Sequence, residues 1–242
     1  MLPAHPGDGP HVEGELKRKY DEYYDGASEW RRLGSIDKIR SVQDICVGRS
    51  FRDVIEVGAG EGSCLARLDE VGFAQNLYAL EISVSGVRAI EARRLPALRE
   101  VHVFDGYSAP YPDKRFDLAI ASHVLEHVEH ERLFLREVKR IASQVFIEVP
   151  LEDTLRIAVS LNNEIGHINF YRRETLLALL KSVGLRPVRW HVADYSLAVG
   201  MFRAGLAKGV ARQIIRRSAL RLAPSLAQKF FTYHLAVLAD AS

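Results

Sequence analysis

Short apolar runs alternate with segments of helical period along the first 150 residues of the chain. The apolar runs have the length of β-strands, and they cover 52–57, 76–82, 100–104, 116–122 and 143–149. The helical segments between these runs cover 63–71, 84–94 and 131–141. Strands that alternate with helices of these lengths predict βαβ units, right-handed crossovers and a parallel sheet.

The pattern changes after Pro150, where an irregular stretch begins. A helix is predicted over 173–183, because Gly184 follows it as a stop signal. Two further strands are predicted over 188–193 and 231–239. The sequence therefore predicts seven strands, and a long segment separates the seventh from the sixth.

About thirty residues of helical period separate the last two strands. The apolar positions that share one helical face are Leu206, Val210 and Ile214. The basic residues that form a stripe beside this face are Lys208, Arg212 and Arg216. We therefore predict a basic helical insertion at about 197–229.

The residues before the first strand divide into two parts. Residues 1–14 are rich in proline, glycine and histidine, so we expect a flexible tail. Residues 15–47 have helical period, and we expect them to form an N-terminal helical cap on the main domain, 48–242. The aromatic residues within the cap are Tyr20, Tyr23, Tyr24 and Trp30.

Composition is that of an ordinary globular protein. The 242 residues are 48% hydrophobic and 26% charged, with a net charge of +2. Cys46 and Cys64 lack partners at a metal-ligand spacing. No apolar run approaches the ~20 residues of a membrane span, and prolines and glycines interrupt the first residues where a signal peptide needs an apolar core. We therefore expect a reduced, cytoplasmic protein.

Charge is unevenly distributed along the chain. From Tyr195 to Ala239 there are seven basic residues and no Asp or Glu, so this span carries +7 and the remainder −5. One interpretation places its basic part, 203–229, on an anionic membrane or over an acceptor site, and the other is a solvated helix face packed on the sheet. We expect no nucleic-acid partner, because the basic residues lack the interleaved aromatic side chains of a stacking platform.

A glycine-rich turn follows the first strand. The strand ends at Val57, and Gly58, Gly60 and Gly62 follow at alternate positions. Such a turn brings backbone N–H groups up to a ligand beyond the carboxyl end of the strand. Ser63 stands where a dinucleotide fingerprint requires its third glycine, and no triphosphate P-loop pattern is present. The alternative is a tight strand–helix turn without a ligand.

The turn resembles motif I of the class I S-adenosylmethionine-dependent methyltransferases, E/D-x-G-x-G-x-G, in which Glu56, Gly58, Gly60 and Gly62 match. Residues 116–128 are similar to the segment FDLxxxxxVLEHV of the type 11 small-molecule methyltransferases. The resemblance implies S-adenosyl-L-methionine as cofactor. It also implies a Rossmann-like α/β fold, whose seven-stranded, mostly parallel sheet has the order 3-2-1-4-5-7-6, strand 7 antiparallel and helices on both faces.

Glu81 is the predicted ribose ligand. It ends the second strand about twenty residues past the glycine turn, where a carboxylate can accept from both ribose hydroxyls. The alternative is a solvated carboxylate. The resemblance implies that Asp105 accepts from the adenine amine, although Asp105-Gly106 is also a common turn. The other cofactor-binding residues that it implies are Tyr20, Glu56, Gly58, Ala59, Gly60, Gly62, Ile82, Gly106, Ser122 and His123.

His123-x-x-Glu126-His127 matches the H-x-x-E-H zinc motif of inverted metallopeptidases. Zinc would need both histidines on one helical turn, a further carboxylate and an open position. Here the pattern directly follows a core strand and coincides with the methyltransferase segment, so we predict no metal. Glu126 and His127 are expected to fix the turn by hydrogen bonds, and His123 to line the pocket as a candidate catalytic residue.

His167 is the second candidate catalytic residue. The segment around it resembles the H-x-x-x-F/Y segment that precedes a helix in the same family. It could orient or deprotonate an acceptor hydroxyl, and a structural histidine is the alternative.

The predicted activity is methyl transfer to an O or N atom of a small molecule, with glycan and lipid intermediates among the expected acceptors. A sulfonium is already a good leaving group, so placement of the nucleophile and exclusion of water matter more than covalent catalysis. The alternative is a non-catalytic S-adenosylmethionine- or nucleoside-binding module in a protein complex.

Overall fold

The computed structural model of the protein describes residues 29–155 and 166–241. Its helices are α1 (Glu29–Ile45), α2 (Ser63–Glu70), α3 (Val84–Ala92), α4 (Glu131–Ile141), α5 (Arg173–Ser182), α6 (Leu197–Ala204), α7 (Leu206–Leu222) and α8 (Pro224–Phe230). Its strands are β1 (Phe51–Val57), β2 (Ala74–Glu81), β3 (Leu98–Val103), β4 (Phe116–Ser122), β5 (Ala142–Pro150), β6 (Arg186–Ala193) and β7 (His234–Asp240). A 3₁₀ helix, Leu125–His127, follows β4. The predicted tail, Tyr20, Tyr23 and Tyr24 lie outside the described residues.

The strands form one sheet in the order β3-β2-β1-β4-β5-β7-β6. β1 pairs in parallel with both β2 and β4, and β7 is antiparallel to β5 and β6. The predicted fold is therefore confirmed, including the antiparallel last strand. The strand order reverses between β1 and β4, so the carboxyl ends of these two strands flank the position where ligands bind in open α/β sheets.

Apolar layers cover both faces of the sheet. In β1, Ile55 and Val57 belong to the layer that α4 and α5 complete, whereas Val54 belongs to the layer of α1, α2 and α3. Successive side chains of a strand lie on opposite faces, so a strand buried on both faces needs apolar residues at consecutive positions. This requirement explains the continuous apolar runs in the sequence.

Helix α1 joins the sheet to the segment before β7. Trp30 stacks on Phe202 of α6, with ring centroids 6.3 Å apart, and the Arg203 guanidinium lies 5.0 Å from the Trp30 centroid. Ser196 donates its backbone N–H to Asp37 Oδ2 at 2.7 Å, at the start of α6. Trp30, the cap aromatic residue that the structure describes, therefore packs between α1 and α6.

The last strand begins at His234, three residues later than predicted. The Phe231 N–H donates to Ala227 O at 2.9 Å, so Phe231 still belongs to the end of α8. The Leu151 N–H donates to Tyr233 O at 2.7 Å. One apolar run thus contains a helix end, a connection and a strand, which hydrophobicity alone does not separate.

Helices α6 to α8 occupy the segment that was predicted to be helical. The predicted apolar face of α7 points outward, since Leu206 is 68% exposed and Ile214 is 61% exposed. Instead α7 packs through Gly209, where a Cβ would lie 2.8 Å from Gly200 O of α6. None of the helices in 29–155 and 166–241 is long and apolar enough to span a bilayer.

The predicted basic stripe was wrong for Arg216. Its side chain is 11% exposed and donates to Asp194 Oδ1 at 2.7 Å, and its guanidinium lies 4.9 Å from the Tyr233 ring centroid. A charged group that is mostly buried needs a partner, and Asp194 provides it. Lys208 and Arg212 remain exposed.

Candidate active site

The glycine turn after β1 has the backbone conformation that glycine favours. Gly58, Gly60 and Gly62 have φ angles of 77°, 58° and 81°. The Gly58 N–H donates to Leu80 O at 2.8 Å, which ties the turn to β2. A Cβ at Gly58 would lie 2.5 Å from Val124 Cγ2, so the turn also fits closely against the residues after β4.

Glu81 is 2% exposed at the end of β2, so the alternative of a solvated carboxylate was wrong. Its Oε2 accepts the Gly60 N–H at 2.8 Å, and its Oε1 accepts the Ser83 N–H at 3.0 Å. Burial raises the pKa of Glu81, and the hydrogen bonds from Ser83 and Gly60 act against that rise. The Ser83 hydroxyl also donates to Oε1, at 2.9 Å, so the remaining acceptor capacity for a ribose hydroxyl lies on Oε2.

Gly86, at the start of α3, also shapes this corner. A Cβ there would lie 2.7 Å from Glu81 Cγ and 2.8 Å from Gly60 O. The Gly86 N–H donates to Ser83 Oγ at 3.1 Å, which caps the helix. Sequence reasoning missed Gly86, although a glycine in the first turn of a helix after an acidic strand end was an available signal.

Glu61 fastens the glycine turn to two other elements. It accepts from Arg31 of α1 at 3.1 Å and from Arg93, just after α3, at 2.7 Å. The residue is 7% exposed, so these are partly buried ion pairs. Sequence reasoning did not select Glu61 either, because its partners are thirty or more positions away.

Glu56 is a buried carboxylate beside the turn. It is 3% exposed, and its Oε2 has no hydrogen-bond partner among residues 29–155 and 166–241. Burial raises the pKa of Glu56 to about 8, against the opposing charge of Lys38. Lys38 belongs to α1, and its Nζ donates to Ser122 O at 3.4 Å, so a cation from the cap reaches the carboxyl end of β4.

His123 follows β4 with a φ of 58°, which is unusual for a residue with a Cβ. Its side chain is 20% exposed, and its ring meets the His234 ring edge to face at 4.7 Å. Within the described part of the chain, Nε2 is buried and has no hydrogen-bond partner. Burial, followed by the charge of Lys38, holds the pKa of His123 well below its usual value, so the ring is neutral at pH 7.

Ser122 and Glu148 join the ends of β4 and β5. The Ser122 hydroxyl donates to Glu148 Oε2 at 2.8 Å, and both residues are buried. The predicted cofactor role of Ser122 stays a prediction.

His167 is 9% exposed and pairs with Glu152, its Nδ1 lying 2.6 Å from Oε2. Burial lowers the pKa of His167, but the hydrogen bond with Glu152 and the charges of Glu126 and Glu152 outweigh this effect and raise it. The His167 ring also meets the His127 ring edge to face at 4.7 Å. The structure thus brings His167 beside the HVLEH segment, from which it is separated by forty residues of sequence.

Glu126 and His127 both fix the turn by hydrogen bonds, as predicted, Glu126 through its backbone and His127 through its side chain. His127 Nδ1 lies 2.9 Å from Gly166 O and makes the expected hydrogen bond. Glu126 acts through its backbone carbonyl, which accepts the N–H groups of Ile168 and Asn169 at 2.9 and 3.0 Å. Its carboxylate makes no hydrogen bond with the residues described.

Asp105 forms the turn that was its alternative interpretation. Its Oδ1 accepts the N–H groups of Tyr107 and Ser108 at 2.8 and 2.7 Å, and Gly106 has a φ of 94°. The adenine contact of Asp105 and Gly106 stays a prediction, as do the contacts of Ala59 and Ile82.

The sheet order, the glycine turn after β1 and the buried acid at the end of β2 define an open α/β fold, whose candidate ligand site lies at the switch point. A protein family described as "Methyltransferase domain" matches residues 16–189 of the chain. The protein belongs to this family, the class I S-adenosylmethionine-dependent methyltransferases. The predicted family and its cofactor, S-adenosyl-L-methionine, are therefore confirmed.

Known proteins are similar to the chain in part of the sequence or in fold. Over 99 residues it is 30% identical to ajmaline N-methyltransferase of Rauvolfia serpentina, a match over 38% of the chain and a third (33%) of the relative's length. Geranyl diphosphate C-methyltransferase from Streptomyces coelicolor A3(2), in complex with Mg²⁺, geranyl-S-thiolodiphosphate and S-adenosyl-L-homocysteine, has a TM-score of 0.65 at 12% identity, with 100% of both chains covered. The [4+2]-cyclase SpnF has a TM-score of 0.62 at 19% identity, over 89% of this chain and 83% of its own. Both structural likenesses concern the fold alone.

The residues at the switch point fit the cofactor of the family. Glu56 provides a buried carboxyl oxygen without a hydrogen-bond partner in the described residues, and loss of its proton would suit a ligand that carries ammonium and sulfonium charge. Glu81 is held at the end of β2 by backbone N–H groups, as a ribose ligand requires. The tight glycine turn leaves no side chain between them at Gly58 and Gly60.

Proposed function

We propose that the protein transfers the methyl group of S-adenosyl-L-methionine to an O or N atom of a small molecule. One observation carries this proposal. Glu56 Oε2 and His123 Nε2 are both buried without hydrogen-bond partners in the described part of the chain, the latter 4.0 Å from Glu148 Oε2, and they lie at the ends of adjacent strands, β1 and β4. Buried polar atoms without partners cost free energy and mark where ligands bind.

The two residues have different proposed tasks. Glu56 binds the cationic methionine part of the cofactor, and Glu81 binds its ribose. The cofactor supplies an electrophilic methyl group on a good leaving group. His123 is neutral at pH 7, so its Nε2 can accept a hydrogen bond and then the proton from the acceptor. Helix α1 is tied to this edge by Lys38, which donates to Ser122 O, and by Arg31, which pairs with Glu61, and in this position it would help to exclude water.

His123→Asn tests the proposal most directly. We expect cofactor binding by calorimetry to stay within about threefold of wild type, while methyl transfer to an acceptor falls by about 10²–10⁴, the usual contribution of a general base. The acceptor is sought by incubating the protein with methyl-labelled cofactor and separate extracts of small polar metabolites and of lipids.

Glu81→Ala controls for the cofactor side and should abolish measurable binding of S-adenosyl-L-homocysteine. Wild-type protein that produces no heat with S-adenosyl-L-methionine would refute the proposal. Cofactor binding without label transfer to either extract would instead favour the non-catalytic binding module.

We also propose that residues 203–229 contact an anionic membrane, which favours a lipid or a lipid-linked glycan as acceptor. The exposed large apolar residues of α6 to α8 are Leu197, Phe202, Leu206, Ile214, Ile215, Leu222, Leu226 and Phe230. The exposed basic residues of the same three helices are Arg203, Lys208, Arg212, Arg217, Arg221 and Lys229. Exposed apolar and basic side chains without acidic ones are typical of helices that lie in the headgroup region of anionic bilayers.

A further inference from the structure

Glu126, His127 and His167 form a compact cluster beside His123, the proposed base. One potential ligand atom from each residue lies within 4.8 Å of the other two. Glu126 and His127 belong to the 3₁₀ helix after β4, and His167 reaches them from the segment before α5. Val124, two residues before Glu126, lies against Gly58 of the glycine turn.

The Glu126 carboxylate lacks compensation for its burial. Glu126 is 0% exposed, and neither carboxylate oxygen has a hydrogen-bond partner within 29–155 and 166–241. His123 Nδ1 lies 3.2 Å from Oε1, but the contact lacks hydrogen-bond geometry. A buried, unpaired carboxylate is costly, and a cation bound to it removes that cost.

Both histidines are held in the manner of metal ligands. His167 Nδ1 is hydrogen-bonded to the Glu152 carboxylate, and His127 Nδ1 to Gly166 O. A proton on Nδ1 leaves the lone pair on Nε2, the nitrogen that then coordinates a metal. A carboxylate or carbonyl behind each imidazole is the usual outer shell of a histidine-ligated metal.

We propose that Glu126, His127 and His167 bind one divalent first-row transition metal, such as Zn²⁺, Fe²⁺ or Mn²⁺. Two imidazoles and one carboxylate suit these ions and disfavour Ca²⁺ and Mg²⁺, which prefer oxygen ligands alone. Metal–ligand bonds of about 2.1 Å require ligand atoms about 3–4 Å apart, so atoms that lie within 4.8 Å of one another need at most a small inward movement to bind a metal.

The site differs from the zinc motif considered in the sequence. That motif would use His123 and His127 as ligands from one helical turn. In the structure His123 has left-handed backbone and lies against His234, and the second imidazole comes from His167. Three protein ligands leave positions open for an acceptor oxygen.

The role of the metal rests on the proposed methyl transfer and narrows the acceptor to an alcohol or phenol. Coordination lowers the pKa of a bound hydroxyl, as it does for bound water. The hydroxyl proton passes to His123 Nε2 or to water, an oxygen lone pair forms the new O–CH₃ bond, and the S–CH₃ bond breaks with its electron pair on sulfur. His167 then acts as a ligand, and the base is a different group.

Titration of chelator-treated protein with Co²⁺ tests the site, because Co²⁺ bound to nitrogen and oxygen ligands absorbs visible light. We expect one Co²⁺ per chain, displaced by Zn²⁺. Glu126→Gln and His167→Gln should each weaken binding more than tenfold, and Glu152→Gln about tenfold through the imidazole it holds. His102→Gln, an exposed histidine on β3, is the control and should bind Co²⁺ like wild type.

Folding of each variant is checked by its unfolding temperature without metal. Zn²⁺ should raise this temperature for wild type and His102→Gln but not for Glu126→Gln, each compared with its own metal-free form. Absence of Co²⁺ binding to wild type, or equal affinity in Glu126→Gln, would overturn the site.

Cofactor binding separates this proposal from the methyltransferase proposal. Metal-free protein should still bind S-adenosyl-L-homocysteine, because Glu56 and Glu81 hold it without the metal. If Co²⁺ binds but the cofactor does not, the proposed function fails and the metal site stands. If methyl transfer to alcohols and phenols is undiminished without metal, the proposed metal role fails and the function stands.

Discussion

Glu56 couples the proposed cofactor site to the stability of the free protein. Its pKa is about 8 in the folded protein, against an ordinary value of 4.5. Between these values the unfolded chain has released the proton while the folded chain retains it. The free energy of unfolding should therefore fall with rising pH across this window, by about 1.4 kcal/mol per pH unit from Glu56 alone.

Urea unfolding of wild type and Glu56→Gln between pH 4.5 and 9 measures this effect. The variant should lose less stability than wild type as the pH rises to 8, and the two slopes should agree above that pH. Parallel curves across the window would show that burial does not hold the Glu56 proton.

Gly58 should tolerate alanine less well than a glycine of similar backbone conformation in open space. Gly72 has a φ of 60° with nothing within 4 Å of the position a Cβ would take, so Gly72→Ala measures backbone strain alone, about 1–2 kcal/mol. Gly58→Ala adds a 2.5 Å approach to a stiff valine side chain and should cost about 1–3 kcal/mol more. Urea unfolding measures both, and equal losses would contradict the close fit to Val124.

Some site residues could be predicted from sequence because their role depends on their position at the end of a nearby strand. Gly58 and Glu81 are informative through their spacing from strand ends, and the structure places both at the switch point. Lys38 and Glu152 carry no motif, and their contacts with Ser122 and His167 exist only once the sheet has formed. Contacts between side chains that are far apart in sequence cannot be predicted from the spacing of residues along the chain.

Among the secondary-structure elements, α6 and α7 depend on glycine for their contact. A Cβ at Gly209 would lie 2.8 Å from Gly200 O and 2.8 Å from Met201 Cα, and backbone atoms cannot rotate away. Gly209→Ala should therefore destabilise the protein by about 1–3 kcal/mol. Gly34→Ala in α1, where nothing lies within 4 Å, should instead stabilise it by about 0.5–1 kcal/mol.

Thermal and urea unfolding of these two variants should give opposite signs. If Gly209→Ala stabilised the protein, α6 and α7 could move apart without a loss of stability, which would contradict their close contact.

The strands of the sheet were predictable as elements, whereas the helices before β7 were predictable in period but not in orientation. β4 and α4 have the predicted bounds, since an apolar run matches the strand and a helical period matches the helix. In α7 the packed face is made of Gly209, Gln213 and the paired Arg216, which the apolar pattern assigns to the outside. Packing through glycine and buried polar residues gives no hydrophobic signal.

At the scale of the whole molecule, the surface of α6 to α8 should direct the protein to anionic bilayers. We expect co-sedimentation with phosphatidylserine-containing vesicles and little with purely zwitterionic ones, and the binding should weaken with salt. Arg217→Glu with Arg221→Glu should reduce vesicle affinity roughly tenfold or more, since each basic residue near the surface contributes about 1 kcal/mol. Arg52→Glu with Arg88→Glu, two exposed residues on other elements, should leave it unchanged.

Equal sedimentation with both kinds of vesicle would argue against the membrane proposal. Equal effects of the two charge reversals would show that total charge matters and that the helices do not.

The position of β7 in the sheet determines when the newly synthesised chain can finish folding. β6 leaves the ribosome roughly 40 residues before β7, yet β7 lies between β5 and β6. At roughly 5–20 residues per second, β6 waits about 2–8 seconds without the strand it pairs with. During that interval β5 presents an open edge to other nascent chains. A translational pause between these strands would lengthen the period in which the protein depends on chaperones.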